Sequence, residues 1–146
     1  MNKLASAKPI LWIAVGALAG YLVLHVGPAY FASREDPRSA ERLGRVAAEI
    51  NRSVPVMIDQ ETELLPAVGA KGMLMYNYRL VKYSVAQVDA KKFAVGAEQR
   101  LRQNACASPE MRDDFLKKDV TLRYSYYDKN KQHIATVDVT PADCGF

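Results

Sequence analysis

Three residues near the end of the chain have the side chains that a nucleophile, a base and an orienting carboxylate require. They are Ser125, His133 and Asp138, and such a set acts only when its members come within hydrogen-bonding reach of one another. The segment from Val120 to Val139 alternates between apolar and polar residues, which predicts a β-hairpin. Whether the three side chains meet therefore depends on the register of this hairpin.

A two-residue turn at Lys129 and Asn130 gives the register that gathers the apolar residues on one face. The pairs expected on that face are Tyr126 with His133, Tyr124 with Ala135, Leu122 with Val137, and Val120 with Val139. This register places Ser125 and His133 on opposite faces of the hairpin, so no contact between them is predicted. The chain also lacks the G-x-S-x-G, phosphate-loop and H-E-x-x-H motifs. We therefore expect no enzymatic activity, no cofactor and no bound metal. The remaining catalytic alternative is a hydrolase that uses His133 as base.

The chain has two cysteines, Cys106 and Cys144, and the second lies two residues from the end. No C-x-x-C spacing is present, and two cysteines 38 positions apart, with His133 as the only histidine after residue 32, make a poor zinc site. Outside the cytoplasm two such thiols normally pair. The sequence therefore predicts a disulfide that fixes the C-terminus.

Tyrosines are numerous for a chain of this size, eight in all. Most are expected in the core or in cross-strand pairs. Tyr83 and Tyr127 lie off the predicted buried face, as does Arg123. These three residues are the predicted contact surface for a partner.

An apolar run from Pro9 to Ala32 holds no charged residue. Its 24 residues exceed the roughly 20 that cross a bilayer as a helix, and Gly16 and Gly20 have the spacing that allows a second helix to approach. We interpret residues 9–32 as an uncleaved signal-anchor and single transmembrane helix, with Gly16 and Gly20 as the candidate self-association pair. A cleaved signal peptide is the alternative.

The charges around this run predict its orientation. Lys3 and Lys8 precede it without any acidic residue, whereas mixed charges follow it. The positive-inside rule then places residues 1–8 in the cytoplasm and residues 33–146 outside. For a bacterium, this means an inner-membrane protein with a periplasmic domain.

The rest of the chain predicts an α+β domain of order α-β-β-α-β-β. Asp36 and Pro37 begin a helix that ends before Pro55, and Pro66 to Gly72 form a turn between two strands. Asp89 caps a second helix, Ser108 and Pro109 begin a short third one, and the hairpin follows. Two apolar hairpin faces need a cover, so we expect a four-stranded antiparallel sheet with helices on one face. In outline this order resembles a cystatin-like or roll arrangement, which implies no function.

Charge excludes one class of partner. Lys3 and Lys8 precede the apolar run, which leaves 18 of the 20 basic residues against 16 acidic ones in the domain. The charges are mixed along the sequence, unlike the concentrated basic surface of a nucleic-acid binder. We expect a non-enzymatic domain that binds another envelope protein, as an accessory subunit of an assembly or as an anchored inhibitor or immunity factor. A small-ligand or lipid-binding domain is the alternative.

Overall fold

The structure, a computed structural model, describes residues 35–146 of the chain. These residues form an α+β domain of three α-helices and five strands. In chain order the elements are α1 (Ala40–Ile50), β1 (Val56–Met57), β2 (Thr62–Ala70), β3 (Met73–Leu80), α2 (Ala90–Ala107), α3 (Pro109–Asp114), β4 (Thr121–Tyr127) and β5 (His133–Val139). Short 3-10 turns lie at Val85–Gln87, Leu116–Lys118 and Pro141–Cys144.

The sheet has five strands in the order β1-β2-β3-β4-β5, and β3 runs parallel to β4. The prediction of a four-stranded antiparallel sheet was wrong in both respects. The two hairpins lie side by side through their inner strands, and α2 carries the chain back along the sheet between them. A connection of this kind returns the chain to the same end, so the strands it joins are parallel. The fifth strand is the two-residue β1, which pairs only with Glu63 and Leu64.

The turn between β2 and β3 also differs from the prediction. It is formed by Lys71 and Gly72, and Gly72 has a positive φ of 72°, a conformation that glycine adopts without steric cost. Pro66 lies inside β2, next to an irregularity in the β2–β3 register between Leu65 and Val68. Proline is tolerated there because an irregular edge position needs no N–H donor.

The hairpin of β4 and β5 is offset by two residues from the predicted register. Leu122 lies opposite Val139 and Tyr124 opposite Val137, whereas Leu122 was predicted opposite Val137. A shift of two leaves every side chain from 135 to 139 on its predicted face. The turn is the five-residue segment 128–132 rather than Lys129 and Asn130 alone, and a bulge between Tyr126 and Tyr127 alters the start of β5.

The helix starts follow capping rules. Asp89 accepts from the Lys92 N–H at 3.0 Å and Ser108 from the Met111 N–H at 3.3 Å, which confirms both predicted caps. Ser39, and not Asp36, caps α1, through the Arg42 N–H at 3.1 Å. Asp36 instead bonds the Arg38 N–H in the turn before the helix.

The helices and the apolar sheet face enclose the core. α1 lies on β2 and α2 on β5, and both contribute to the apolar side chains packed on one face of the sheet. At Gly69 the strand touches the helix backbone: a Cβ there would lie 2.1 Å from the carbonyl carbon and oxygen of Leu43 and 2.4 Å from the nitrogen of Gly44. The fully buried large side chains are Leu43, Leu64, Leu74, Leu116, Leu122, Val120, Val139 and Asp128.

The C-terminus is fixed by covalent and polar contacts. Cys106, near the end of α2, forms the predicted disulfide with Cys144, with their Cα atoms 5.3 Å apart. Asp143 accepts from the N–H of Thr140 at 2.7 Å and pairs with Arg102 at 3.1 Å. The Thr140 N–H holds the pKa of the Asp143 carboxyl below its usual value.

The predicted anchor lies outside the described residues, as do residues 1–8 and the Gly16 and Gly20 pair. Within residues 35–146, no helix has both the length and the apolar character needed to cross a bilayer.

Candidate functional site

The sheet face opposite α1 and α2, here called the open face, carries a row of polar side chains. Two ion pairs join directly opposed residues of neighbouring strands. Arg79 lies 2.5 Å from Glu63, and Arg123 binds Asp138 through two hydrogen bonds of 2.7 Å each. This bidentate geometry orients both side chains. The hydrogen bonds to Asp138 raise the pKa of the Arg123 guanidinium. Asp138 is therefore engaged by arginine and does not orient the histidine.

Ser125 and His133 both lie on the open face, so the prediction that they lie on opposite faces was wrong, although the two side chains are not in direct contact. The bulge at the start of β5 places the His133 ring beside Thr136, with 2.8 Å between Nε2 and the hydroxyl oxygen. That hydroxyl lies 3.3 Å from the Ser125 hydroxyl. Thr136 thus stands between the two, and Ser125 is only 4% exposed. A nucleophile needs a base in direct contact and access to substrate, and this chain of hydroxyls provides neither.

The three predicted contact residues do not form one patch. Arg123 and Tyr127 both lie on the open face of β4, with Ser125 between them on that face. The Tyr127 ring contacts the His133 ring edge-on, with 5.7 Å between the ring centroids. Tyr83 lies beyond the end of β3, where its hydroxyl donates to Glu61 at 3.2 Å. Their role in binding a partner stays a prediction.

The parallel pairing of β3 and β4 builds a stack of four tyrosines on the core side. Tyr76 lies opposite Tyr124, and Tyr78 opposite Tyr126. Their ring centroids are 5.4 and 5.3 Å apart, Tyr78 also reaches Tyr124 at 6.4 Å, and the rings are close to parallel. Phe93 of α2 meets Tyr126 edge-on at 4.9 Å. Alternation predicted that these side chains are inward, but only the strand order brings them together.

Burial controls the ionisation of these phenols. It raises the pKa of Tyr126 to about 12, and it raises the pKa of Tyr76, Tyr78 and Tyr124 as well. The unfolded chain ionises its tyrosines near pH 10. The stack therefore stabilises the domain below pH 10, and this contribution is lost as the pH rises further.

We expect the stacked phenols to ionise only as the domain unfolds in alkali. Absorbance at 295 nm should then rise in one cooperative step that coincides with loss of the circular dichroism signal. Tyr126→Phe should move this step to higher pH, because phenylalanine cannot ionise in the unfolded chain. Gradual ionisation of all phenols near pH 10 with an intact dichroism signal would contradict this.

A buried carboxylate organises the hairpin turn. Asp128 is 0% exposed, and its two oxygens accept from the N–H groups of Val85, Asn130 and Gln132 at 2.8, 2.7 and 2.8 Å. Burial tends to raise the pKa of Asp128, but these backbone donors outweigh it and the pKa is lowered. The side chain thereby ties the segment after β3 to the β4–β5 turn, and Lys131 completes the turn at a φ of 66°.

We expect Asp128→Ala to lower the melting temperature by on the order of 10 °C, since it leaves three backbone donors without an acceptor. Asp128→Asn is the matched control: it keeps the shape and one acceptor oxygen but presents an N–H₂ group as well. A group with a lowered pKa stabilises above about pH 4 and loses this effect as the pH falls. The difference in stability between wild type and Asp128→Asn should therefore shrink below pH 4, as measured by thermal melts from pH 7 to 3.

Residues 35–146 contain no group of three or more histidine, cysteine or acidic side chains placed to hold a metal ion.

Comparisons with known proteins identify the fold. No protein-family model and no curated protein matches the chain. Three solved structures are similar. A Pseudomonas aeruginosa protein described as secreted has a TM-score of 0.62 at 20% identity, covering 77% of this chain and 98% of that protein.

The other two similar structures are pilotins. EpsS, the pilotin of the Vibrio vulnificus type 2 secretion system, has a TM-score of 0.58 at 12% identity over 73% of this chain and 92% of its own. AspS, the type II secretion system pilotin of Vibrio cholerae, has a TM-score of 0.55 at 14% identity over 90% and 99%. At these identities the likeness establishes that residues 35–146 share the fold of these proteins.

Proposed function

We propose that this chain is a non-enzymatic accessory component of an envelope protein assembly. Its folded domain, residues 35–146, would bind a protein partner outside the cytoplasm, and residues 9–32 would anchor it in the inner membrane. The observation that carries the proposal is the fold, which two pilotins of type II secretion systems share over most of their length.

The side chains of the domain support binding rather than catalysis. The hydroxyl of Ser125 has no direct contact with His133, and Asp138 is held by Arg123. The open face presents Arg79, Arg123 and Tyr127, all half-buried, and arginine and tyrosine are enriched at protein–protein interfaces.

The disulfide supports the extracytoplasmic part of the proposal. Structural disulfides persist in oxidising compartments and are rare in the cytoplasm. The bond between Cys106 and Cys144 closes the end of the domain, as is common in exported proteins.

Whole cells treated with a maleimide should show neither cysteine labelled before reduction and both labelled after it. Labelling of both before reduction would place the domain in the cytoplasm.

Crosslinking in intact membranes tests the binding function. An amine-reactive crosslinker, followed by purification and mass spectrometry, should join the chain to an envelope protein through the exposed lysines. The control is the same chain carrying Gly69→Val, which should disrupt the domain. A partner captured equally by both forms, or the capture of lipid alone, would contradict the proposal.

A further inference from the structure

The two edges of the sheet differ in how they are protected. At the first edge β1 pairs with only two residues of β2, and Pro66 interrupts the strand. The side-chain amide of Asn51 then accepts from the N–H of Ala67 at 2.6 Å and donates to its carbonyl at 2.9 Å. Asn51 thus occupies the position of a neighbouring strand. Proteins block edges in such ways because an open edge can pair with another chain.

The other edge, β5, is open between residues 136 and 138. The N–H of Thr121 donates to the carbonyl of Gly72, directly before β3, at 2.9 Å. Because backbone groups alternate in direction along a strand, the odd-numbered residues of β4 direct theirs to β3 and the even-numbered residues direct theirs to β5. Given the observed register, the residues of β5 that bond β4 are 135, 137 and 139. Thr136 and Asp138 therefore direct their N–H and carbonyl groups outward.

These outward groups have no backbone partner within residues 35–146. The next outward N–H, that of Thr140, is already satisfied by Asp143. Thr136 is exposed and Asp138 half-buried, so solvent reaches this stretch of edge. The open edge offers two N–H donors and two carbonyl acceptors in the spacing of a strand, enough for a partner segment of about five residues.

The position of α2 decides what can pair there. α2 lies over β5; Phe93 and Ala94 of α2 pack on the cluster that contains Ala135, and Val137 on the same face is also buried. A second copy joined through β5 in antiparallel fashion would place its own α2 on the same face. The two strands would be about 4.8 Å apart, whereas packed helices need 8–10 Å between their axes. In antiparallel pairing, the open edge can therefore take only a strand with no helix above it.

We propose that the edge of β5 at Thr136 and Asp138 is the docking site for a short extended segment of a partner protein, added as a sixth strand. The inference deepens the proposed function, because it names how the accessory domain would hold its envelope partner. Main-chain hydrogen bonds supply the affinity in this mode of recognition, and the side chains facing α2 must be small to fit beneath the helix.

The test places a photo-reactive benzoylphenylalanine at Gln132, an exposed residue directly before β5, in the full chain in living cells. The same group at Val68, exposed on the blocked edge, is the positional control. Thr136→Pro removes the outward N–H and suits an edge strand. Thr136→Val keeps that N–H and removes only the hydroxyl, so it is the matched control.

We expect an adduct with an envelope protein at 132 and none at 68. It should persist in Thr136→Val and become at least about tenfold weaker in Thr136→Pro, the order of effect that losing one or two main-chain hydrogen bonds produces. If thermal melts show that Thr136→Pro is unfolded, Thr136→Lys replaces it, because lysine on an edge disfavours strand addition.

Three outcomes would overturn the inference. They are an adduct that is equally strong in the blocking variant, an adduct of two copies of this chain, and an adduct only at 68. Absence of any adduct at 132, while amine crosslinking still captures an envelope protein, would refute the docking site and leave the proposed function standing. Absence in both experiments would refute both.

Discussion

Gly69→Ala is expected to lower the free energy of unfolding by about 3 kcal/mol or more, and Gly69→Val should prevent folding. A Cβ at position 69 would lie 2.1 Å from backbone atoms of Leu43, a distance that atoms in contact do not reach. Backbone cannot rotate away as a side chain can, so α1 would have to lift from β2. That shift would open the core at Leu43 and Leu64, both almost fully buried.

Gly44 provides the matched control for this prediction. It lies in the same helix, and a Cβ there meets no atom within 4 Å. Gly44→Ala should therefore stabilise the domain by roughly 0.5–1 kcal/mol, the usual gain from alanine inside a helix. Urea denaturation of the two variants gives both values. A Gly69→Ala protein within 1 kcal/mol of wild type would show that α1 does not pack as described.

Removing the disulfide is the second change expected to lower the free energy of unfolding by a large amount. The chain-entropy model assigns about 4 kcal/mol to a crosslink between residues 38 apart, a large part of the roughly 5–15 kcal/mol typical of a small domain. Cys106→Ala combined with Cys144→Ala should lose about this much in urea denaturation. The C-terminal turn would also lose its covalent hold, leaving the Arg102–Asp143 pair, which is too exposed to replace it.

Reduction of the wild-type protein provides an independent form of the same test. A reduced wild type should unfold at the same urea concentration as the double variant, because both lack only the crosslink. Equal stability of oxidised and reduced wild type would show that the bond does not stabilise the domain.

Local patterns in the sequence predicted the elements well, and long-range contacts explain the differences. The caps at Asp89 and Ser108 depend on residues three positions apart, so short-range rules found them. The parallel contact of β3 with β4 depends on where α2 returns the chain, and no alternation within either strand contains that information. The tyrosine stack follows from this contact, so it was missed with it.

The hairpin turn shows how one buried side chain can override a turn rule. The two-residue prediction treated Asp128 as the last residue of a strand. In the structure its carboxylate collects three backbone N–H groups, one of them from Val85, 43 residues away in sequence. The longer turn accompanies the two-residue shift in register, and the bulge at the start of β5 places His133 on the open face. The alternation of β5 from 135 to 139 was still predicted correctly, because a shift of two preserves it.

The open edge of β5 could not be found from the sequence either. β5 contains no proline or lysine, but an unprotected strand is a liability only at the edge of a sheet. The strand order and the direction of the Thr121 N–H make Thr136 an outward residue. A partner strand there would leave the polar side chains of the open face in place.

The size of the native complex tests the central claim most directly. Membranes from cells with the chain at its natural level are solubilised in mild detergent and separated by native electrophoresis, with mass spectrometry of the band that contains the chain. We predict a complex much larger than the 16.2 kDa chain, which includes a second envelope protein in fixed ratio. Migration as a monomer, or as copies of this chain alone, would contradict an accessory binding function.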